Sequence, residues 1–258
     1  MQLTFFSYCC VQFAYHCGFV EAVVSEMEVA GIMGTSAGAL TGSLLAAGLT
    51  PDEICYELSR VAPMEYLSPN PALWQGVLKM DGVVRRLTQL LPPTFDELQT
   101  PFACAVVDVR TGGYRVISEG RLPEAVTASA AVPVLFKPVC VPGVPGGPFE
   151  DGGKHDRVGL KGLEELRRAG GLGDPRGVDT GPMVHLIERS TPFSGDDDVT
   201  EAAKRYDATV VRSPKAGQNL WALNQDTFAA QRAVASERTR MVLDERRAAL
   251  KSSRRLVA

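Results

Sequence analysis

Apolar positions in the first half of this chain follow two spacings: short unbroken runs, and longer stretches with an apolar residue every three or four positions. The runs predict buried strands and the stretches predict helices. Residues 3–6 read as a strand, 7–12 as a break and 13–27 as a helix. A second run at 29–33 predicts another strand, followed at 36–47 by a helix of small residues that ends at Gly48. Strands alternating with helices predict a parallel sheet with helices on its faces, because a parallel pair needs a crossover long enough to hold a helix.

Proline and glycine punctuate the rest. Pro51 opens a helix over 51–62, with Asp52 and Glu53 in the first turn where the helix dipole favours them, and Pro63 stops it. Ser68-Pro69-Asn70-Pro71 breaks the chain, helices follow at 72–79 and 82–91, and Pro92-Pro93 ends the second. The apolar segment 101–109 turns at Thr111-Gly112-Gly113 into a partner strand at 114–118, which adds an antiparallel edge. Residues 122–130 read as a helix and 136–140 as extended chain; the Gly- and Pro-rich loop 142–148 delivers the chain to Phe149-Glu150-Asp151-Gly152-Gly153. An amphipathic helix at 159–171, strands at 183–187 and 209–211, and one long helix at 224–250 complete the reading. No repeat divides the chain, so residues 1–258 are expected to form a single domain.

Composition narrows the function. With 258 residues, 45% of them hydrophobic, the chain can bury one sizeable core. A formal net charge of -3 gives no general attraction to nucleic acid. Arg246, Arg247, Lys251, Arg254 and Arg255 make the end of the last helix basic, the pattern of a solvated face, with an anionic lipid surface as the alternative. Asp196, Asp197 and Asp198 read as a solvated turn, since metal loops need spaced ligands. The six cysteines show no C-x-x-C pair and are expected to be reduced thiols. The N-terminus lacks the basic region of a signal peptide and no segment approaches the roughly 20 apolar residues of a membrane span. A cytoplasmic protein that touches membranes only peripherally is expected.

The chemistry centres on Gly34-Thr35-Ser36-Ala37-Gly38, a G-x-S-x-G pattern between a strand and a helix. Such a sharp turn exposes a serine hydroxyl at a helix N-terminus, where developing negative charge is favoured. The flanking glycines let strand and helix pass without a Cβ between them. A nucleophilic serine needs a base. The three histidines are His16, His155 and His185; only His185 follows Asp151 in the order of an ordinary Ser-Asp-His hydrolase, and it sits in the apolar run 183–187 of a structural core. The other option is a carboxylate base, Asp151, followed by two glycines that permit a close backbone approach.

Four blocks in order resemble the patatin-like phospholipase family: Phe6-Ser7 with Ala14-Tyr15-His16-Cys17-Gly18-Phe19-Val20-Glu21-Ala22; Gly34-Thr35-Ser36-Ala37-Gly38-Ala39; the segment 125–139; and Asp151-Gly152-Gly153. They span residues 2–155. The resemblance implies a three-layer α/β/α sandwich with a mostly parallel central sheet. It implies a dyad of Ser36 as nucleophile and Asp151 as base, supported by Gly34, Gly38, Gly152 and Gly153. A serine lipid acyl hydrolase acting on glycerolipid or fatty-acyl esters is implied, without metal or cofactor. A lipid-binding protein of the same fold with impaired catalysis, or an acyltransferase using the same nucleophile, are the alternatives. Oxyanion donors would be the backbone N–H groups of Cys9, Cys10 and Val11. The family carries a glycine-rich loop with a basic residue there, and this chain has Gln12 instead, so low activity is expected. Trp74, Val77, Leu78 and Met80 are candidates for the apolar rim of the site.

Overall fold

The computed structural model describes residues 2–7, 13–156, 158–168, 181–188, 197–214 and 224–257. The chain opens with strand β1 (Gln2–Ser7), helix α1 (Phe13–Val24), strand β2 (Gly31–Ser36) and helix α2 (Ala37–Ala46). Helix α3 (Pro51–Ser59) begins at a Thr50 capping box, in which Thr50 and Glu53 satisfy each other's backbone N–H. A small excursion follows, strands β3 (Ser68–Pro69) and β4 (Leu78–Lys79), then helix α4 (Asp81–Leu90). Strands β5 (Phe102–Asp108) and β6 (Gly113–Ile117), helix α5 (Leu122–Ser129), strand β7 (Phe149–Asp151) and helix α6 (Leu160–Arg168) come next. Strand β8 (Met183–Ile187), helix α7 (Asp197–Arg205), strand β9 (Thr209–Ser213) and the long helix α8 (Gln225–Val257) finish it.

The main sheet has the order β6-β5-β2-β1-β8-β9. From β5 to β9 its neighbours run parallel, while β6 and β7 are antiparallel to β5. Successive side chains of a strand point to opposite faces, which here are both covered. Ile32, Cys104, Val106, Met183 and Val211 join a core built with α1, α2, α3, α5 and α8. Met33, Ala103, Ala105, Val184 and Leu186 join a second core with Leu160, Leu163 and Leu166 of α6 and Val199 of α7. The result is the expected α/β/α sandwich. Helix α1 is buried on nearly every side and largely apolar, with Glu21 its one charged residue, because it lies between the sheet and α8.

Three expectations change, and one segment left unassigned forms a strand. The helix expected at 72–79 is instead a single turn at Leu73–Gln75 leading into β4. Gly76 takes φ +118, and the Asn70 side chain donates to the carbonyls of Ala72 and Gly76 at 2.9 and 2.7 Å while accepting from Ala72 N–H at 3.2 Å. That local network outcompetes the helix. The strand expected at 29–33 begins at Gly31 and continues to Ser36, because β1 pairs with it residue by residue from Gln2↔Gly31 to Ser7↔Ser36. Phe149–Asp151 is a strand, and Asp197 and Asp198 open α7 instead of lying in a turn. Residues 194–196 lie outside the described residues.

The basic end of α8 does structural work on its described side. Arg246 donates to Thr209 Oγ1 at 3.0 Å and to the Gly181 carbonyl at 2.7 Å, and Arg247 to Glu26 at 2.8 Å. These arginines fasten α8 to the sheet edge and to the end of α1.

Candidate active site

Strand β2 and helix α2 meet at Ser36, which has φ 57 and ψ -130, a conformation rarely taken by a residue with a Cβ. Such backbone costs about 1–3 kcal/mol and persists only where its surroundings enforce it. Two enforcers are visible. Gly34 lets the strand pass under the helix: a Cβ there would lie 2.6 Å from Ala39 Cα. Ser129, at the end of α5, accepts the Ser36 N–H at 3.2 Å and donates to the Ala105 carbonyl at 2.7 Å. The hydroxyl of one serine thus ties the elbow to β5. Gly38 lies buried in the first turn of α2, whose positive end faces the Ser36 position.

Asp151 reaches the same place by a different route. Strand β6 occupies one edge of β5 through Asp108, so β7, paired with Val106, Val107 and Asp108, must lie on the other edge, the one β2 leaves after Gly34↔Cys104. Extending the β2 register two residues brings Ser36 level with Val106, the partner of Asp151. Ser36 and Asp151 are therefore end to end along one flank of β5. The turn after Asp151 depends on its glycines: a Cβ on Gly152 would lie 2.6 Å from the Ala105 carbonyl carbon, and the Gly153 N–H donates to Asp151 Oδ1 at 2.8 Å. The Asp151 N–H donates to the Ala131 carbonyl at 3.0 Å, just past α5. Asp108 anchors the preceding loop by accepting the Gly147 N–H at 2.8 Å, and that bond above all holds its carboxyl below the usual carboxylate range.

Ser36 and Asp151 are each 1% exposed. Ser36 Oγ has no hydrogen-bond partner among the described residues, so the direct bond to Asp151 that a closed dyad would show is not formed here.

Ser36 lies in an apolar groove that is partly open to solvent. Helix α2 contributes Ala37, Leu40 and Leu44; Phe13, Met80, Leu87 and Phe136 are among the opposing residues. Of the expected rim, Met80 lines the groove. Leu78 is half-buried in β4, while Trp74 and Val77 stand outside in solvent beside Leu73 and Val134. Trp74 and Val134 are each 84% exposed, and the Val77 N–H donates to the Val134 carbonyl at 3.2 Å, joining the two projecting segments.

Cys9, Cys10, Val11 and Gln12 lie outside the described residues. What the structure does give is the two ends of that segment. Ser7 pairs with Ser36, and Phe13 lines the same groove as Ser36.

The histidine alternative fails on geometry. His185 is buried, its Nδ1 2.7 Å from His16 Nδ1 and its Nε2 2.9 Å from Ser213 Oγ, with Phe19 stacked on the ring. Burial pushes His16 down to about 3 and lowers His185 likewise, since neither charge could be solvated there. The pair joins β8 to α1 and hydrogen-bonds neither Ser36 nor Asp151. Sequence reasoning missed the role of Ser129 and the groove walls on α3 and α4. A hydroxyl at the last position of the helix, just before Ala130-Ala131-Val132-Pro133, was the available signal for Ser129.

Among the described residues, Cys17, Cys55, Cys104 and Cys140 are free thiols, no cluster of potential metal ligands occurs, and no helix is long and apolar enough to cross a membrane.

A family model described as patatin-like phospholipase matches residues 9–163. Uncharacterised NTE family proteins of Mycobacterium bovis and Mycobacterium tuberculosis are 27% identical over 128 residues, a match covering 48% of this chain and 35% of theirs. The chain thus spans only about a third of those relatives. Among solved structures, VipD from Legionella pneumophila superposes with a TM-score of 0.55 at 13% identity, over 94% of this chain and 66% of that one. ExoU of the Pseudomonas aeruginosa type III secretion system, solved with SpcU, gives 0.55 at 12% identity, over 95% and 52%. At such identities the likeness is one of fold.

Proposed function

Because the chain belongs to the patatin-like phospholipase family, we propose that it is a serine lipid acyl hydrolase working through Ser36 and Asp151, with residues 1–258 acting as one unit. The observation that carries this reading is the strained serine at the head of an apolar groove, with a buried aspartate brought to the same flank of β5. An acyl chain lies in the groove and presents its ester carbonyl to Ser36. Asp151 accepts the hydroxyl proton as Oγ bonds to the carbonyl carbon, and the tetrahedral intermediate then expels the alcohol, which takes that proton. Water, deprotonated by Asp151, releases the fatty acid from the acyl-enzyme and restores Ser36. Backbone N–H groups of Cys9, Cys10 and Val11 receive the oxyanion, a role supported by the position of Ser7 and Phe13 around Ser36. With side chains along the segment where the family has a glycine-rich loop, turnover is slow.

The substrate is a glycerolipid or fatty-acyl ester met at a membrane surface from the cytoplasmic side. The exposed Leu73, Trp74, Val77 and Val134 beside the groove supply the peripheral contact, an apolar cluster with an indole suited to the headgroup region. A fluorophosphonate probe tests the proposal. It labels wild-type protein and not Ser36→Ala, and Asp151→Asn loses at least a hundredfold in ester hydrolysis while keeping its melting temperature. Equal labelling of wild type and Ser36→Ala defeats the assignment. Fatty-acid binding with neither labelling nor hydrolysis makes the chain a lipid-binding protein of this fold, and transfer to added alcohol in place of water makes it an acyltransferase.

A further inference from the structure

The groove has two distinguishable ends. Leu40 packs against Met80, Ala130 and Phe136 as well as against the main core, whereas Leu44, Leu58, Leu87 and Leu90 belong to the main core alone. Ser36, Leu40 and Leu44 recur at helical spacing along one wall. From Ser36 to Leu44 the helix rises about 12 Å.

At that far end the lining stops being apolar. Arg86 of α4 donates to Glu57 of α3, and also to Gln89 Oε1 at 2.8 Å, and both partners of the pair are mostly covered, with 21% and 14% of their side chains exposed. The Arg86 Nε is buried without a hydrogen-bond partner among the described residues. On the other side lies a second, open pocket lined by Leu49, Asp52, Glu53, Tyr56 and Gln89. It shares Glu57 and Leu90 with the groove. The ion pair and Leu90 are thus a partition between two cavities.

We propose that this partition is an acyl-length ruler that makes the enzyme selective for medium-chain esters; the inference rests on the groove being the acyl site. Each methylene buried in the groove raises kcat/KM by about fourfold. The gain ends at the pair, because an apolar tail cannot displace Glu57 without leaving the mostly covered Arg86 charge uncompensated, while Glu57 is also held by Arg60 at 3.9 Å. An extended chain advances about 1.2 Å per bond, taking 3.6 Å over the three bonds of a residue, so 12 Å holds roughly ten carbons.

The test is kcat/KM on p-nitrophenyl esters from C4 to C16 for wild type, the double variant Glu57→Ala with Arg86→Ala, and Leu90→Ala, which opens the same wall with the pair intact. Wild type climbs to a maximum near C10. In the variants the ratio of C16 to C10 rises at least tenfold. A wild-type maximum at C16, or one profile shared by wild type and folded variants, overturns the ruler while leaving hydrolysis standing. The same substitutions made on Ser36→Ala, with free fatty acids of each length displacing a fluorescent fatty acid, read the cut-off without turnover. A cut-off that moves with the partition supports the ruler even where hydrolysis fails, and a fixed one overturns it.

Discussion

Ser129 holds the nucleophile elbow, and Ser129→Ala separates that role from simple helix packing. The variant leaves two buried backbone groups without partners: the Ser36 N–H, now 3.2 Å from the Ser129 Oγ, and the Ala105 carbonyl, now 2.7 Å from it. Each orphan costs about 1–3 kcal/mol, so about 3 kcal/mol of stability is lost in all. The elbow then has a way to relax. If the positive φ of Ser36 stores about 2 kcal/mol, releasing it leaves the attacking conformation populated about one part in thirty. Fluorophosphonate labelling should slow by about thirtyfold, measured under conditions where the variant is still folded by urea titration. Thr127→Ala is the control: its hydroxyl is equally buried in α5 but donates to Pro123 at 2.8 Å, away from the elbow. It should lose about 1 kcal/mol and label at the wild-type rate. Loss of stability in Ser129→Ala with an unchanged labelling rate would refute the idea that Ser129 enforces the strained serine.

Two further outcomes are expected. His16 and His185 share one proton between their Nδ1 atoms, and a further proton on either ring would bury a charge that nothing solvates. Since the folded His16 titrates at about 3 and an unfolded one near 6.5, the unfolded state alone binds protons between those values, and stability falls as pH drops through that window. At pH 5 His16 contributes a loss of about 2 kcal/mol relative to pH 7.5, with His185 adding in the same direction. Urea titrations at the two pH values should show that loss in wild type and a smaller one in His16→Gln; equal losses would count against the buried neutral pair. Gly34→Ala places a methyl 2.6 Å from Ala39 Cα and 2.9 Å from Ala39 N, backbone that cannot rotate aside. It should cost about 3 kcal/mol and abolish labelling of Ser36, and a stable, fully labelled Gly34→Ala would show that strand and helix separate freely.

Where backbone pattern and side-chain pattern agree, the elements were legible. The uninterrupted apolar runs at 102–107 and 183–187 are strands covered on both faces, and the small-residue helix after Ser36 starts and ends within a residue of its expected bounds. Misreadings occurred where a short-range network or a distant strand overrode local preference. Asn70 and Gly76 replaced a helix with a turn, and β1 drew β2 past its apolar run to Ser36. Helix α7 was missed because its first turn is acidic, a composition shared by solvated turns and by helix N-termini.

The same division applies to the site. Ser36 and Asp151, the residues proposed for the dyad, stand out in the chain because each is accompanied by glycines whose need is local: one turn must be sharp, the other must press against a neighbouring backbone. Residues 36 and 151 come together only because β7 takes over the flank of β5 that β2 vacates. Ser129 became an enforcer of the elbow, and His185 a structural partner of His16, through contacts across 93 and 169 residues of chain. The groove and its Glu57 and Arg86 partition likewise form between helices that are separate in sequence. Local steric demands leave a mark on neighbouring residues, so composition and spacing determine where the sharp turns at Ser36 and Asp151 fall. Packing of distant segments leaves no such mark, so which groups meet, and what lines the space between them, is decided by the tertiary structure.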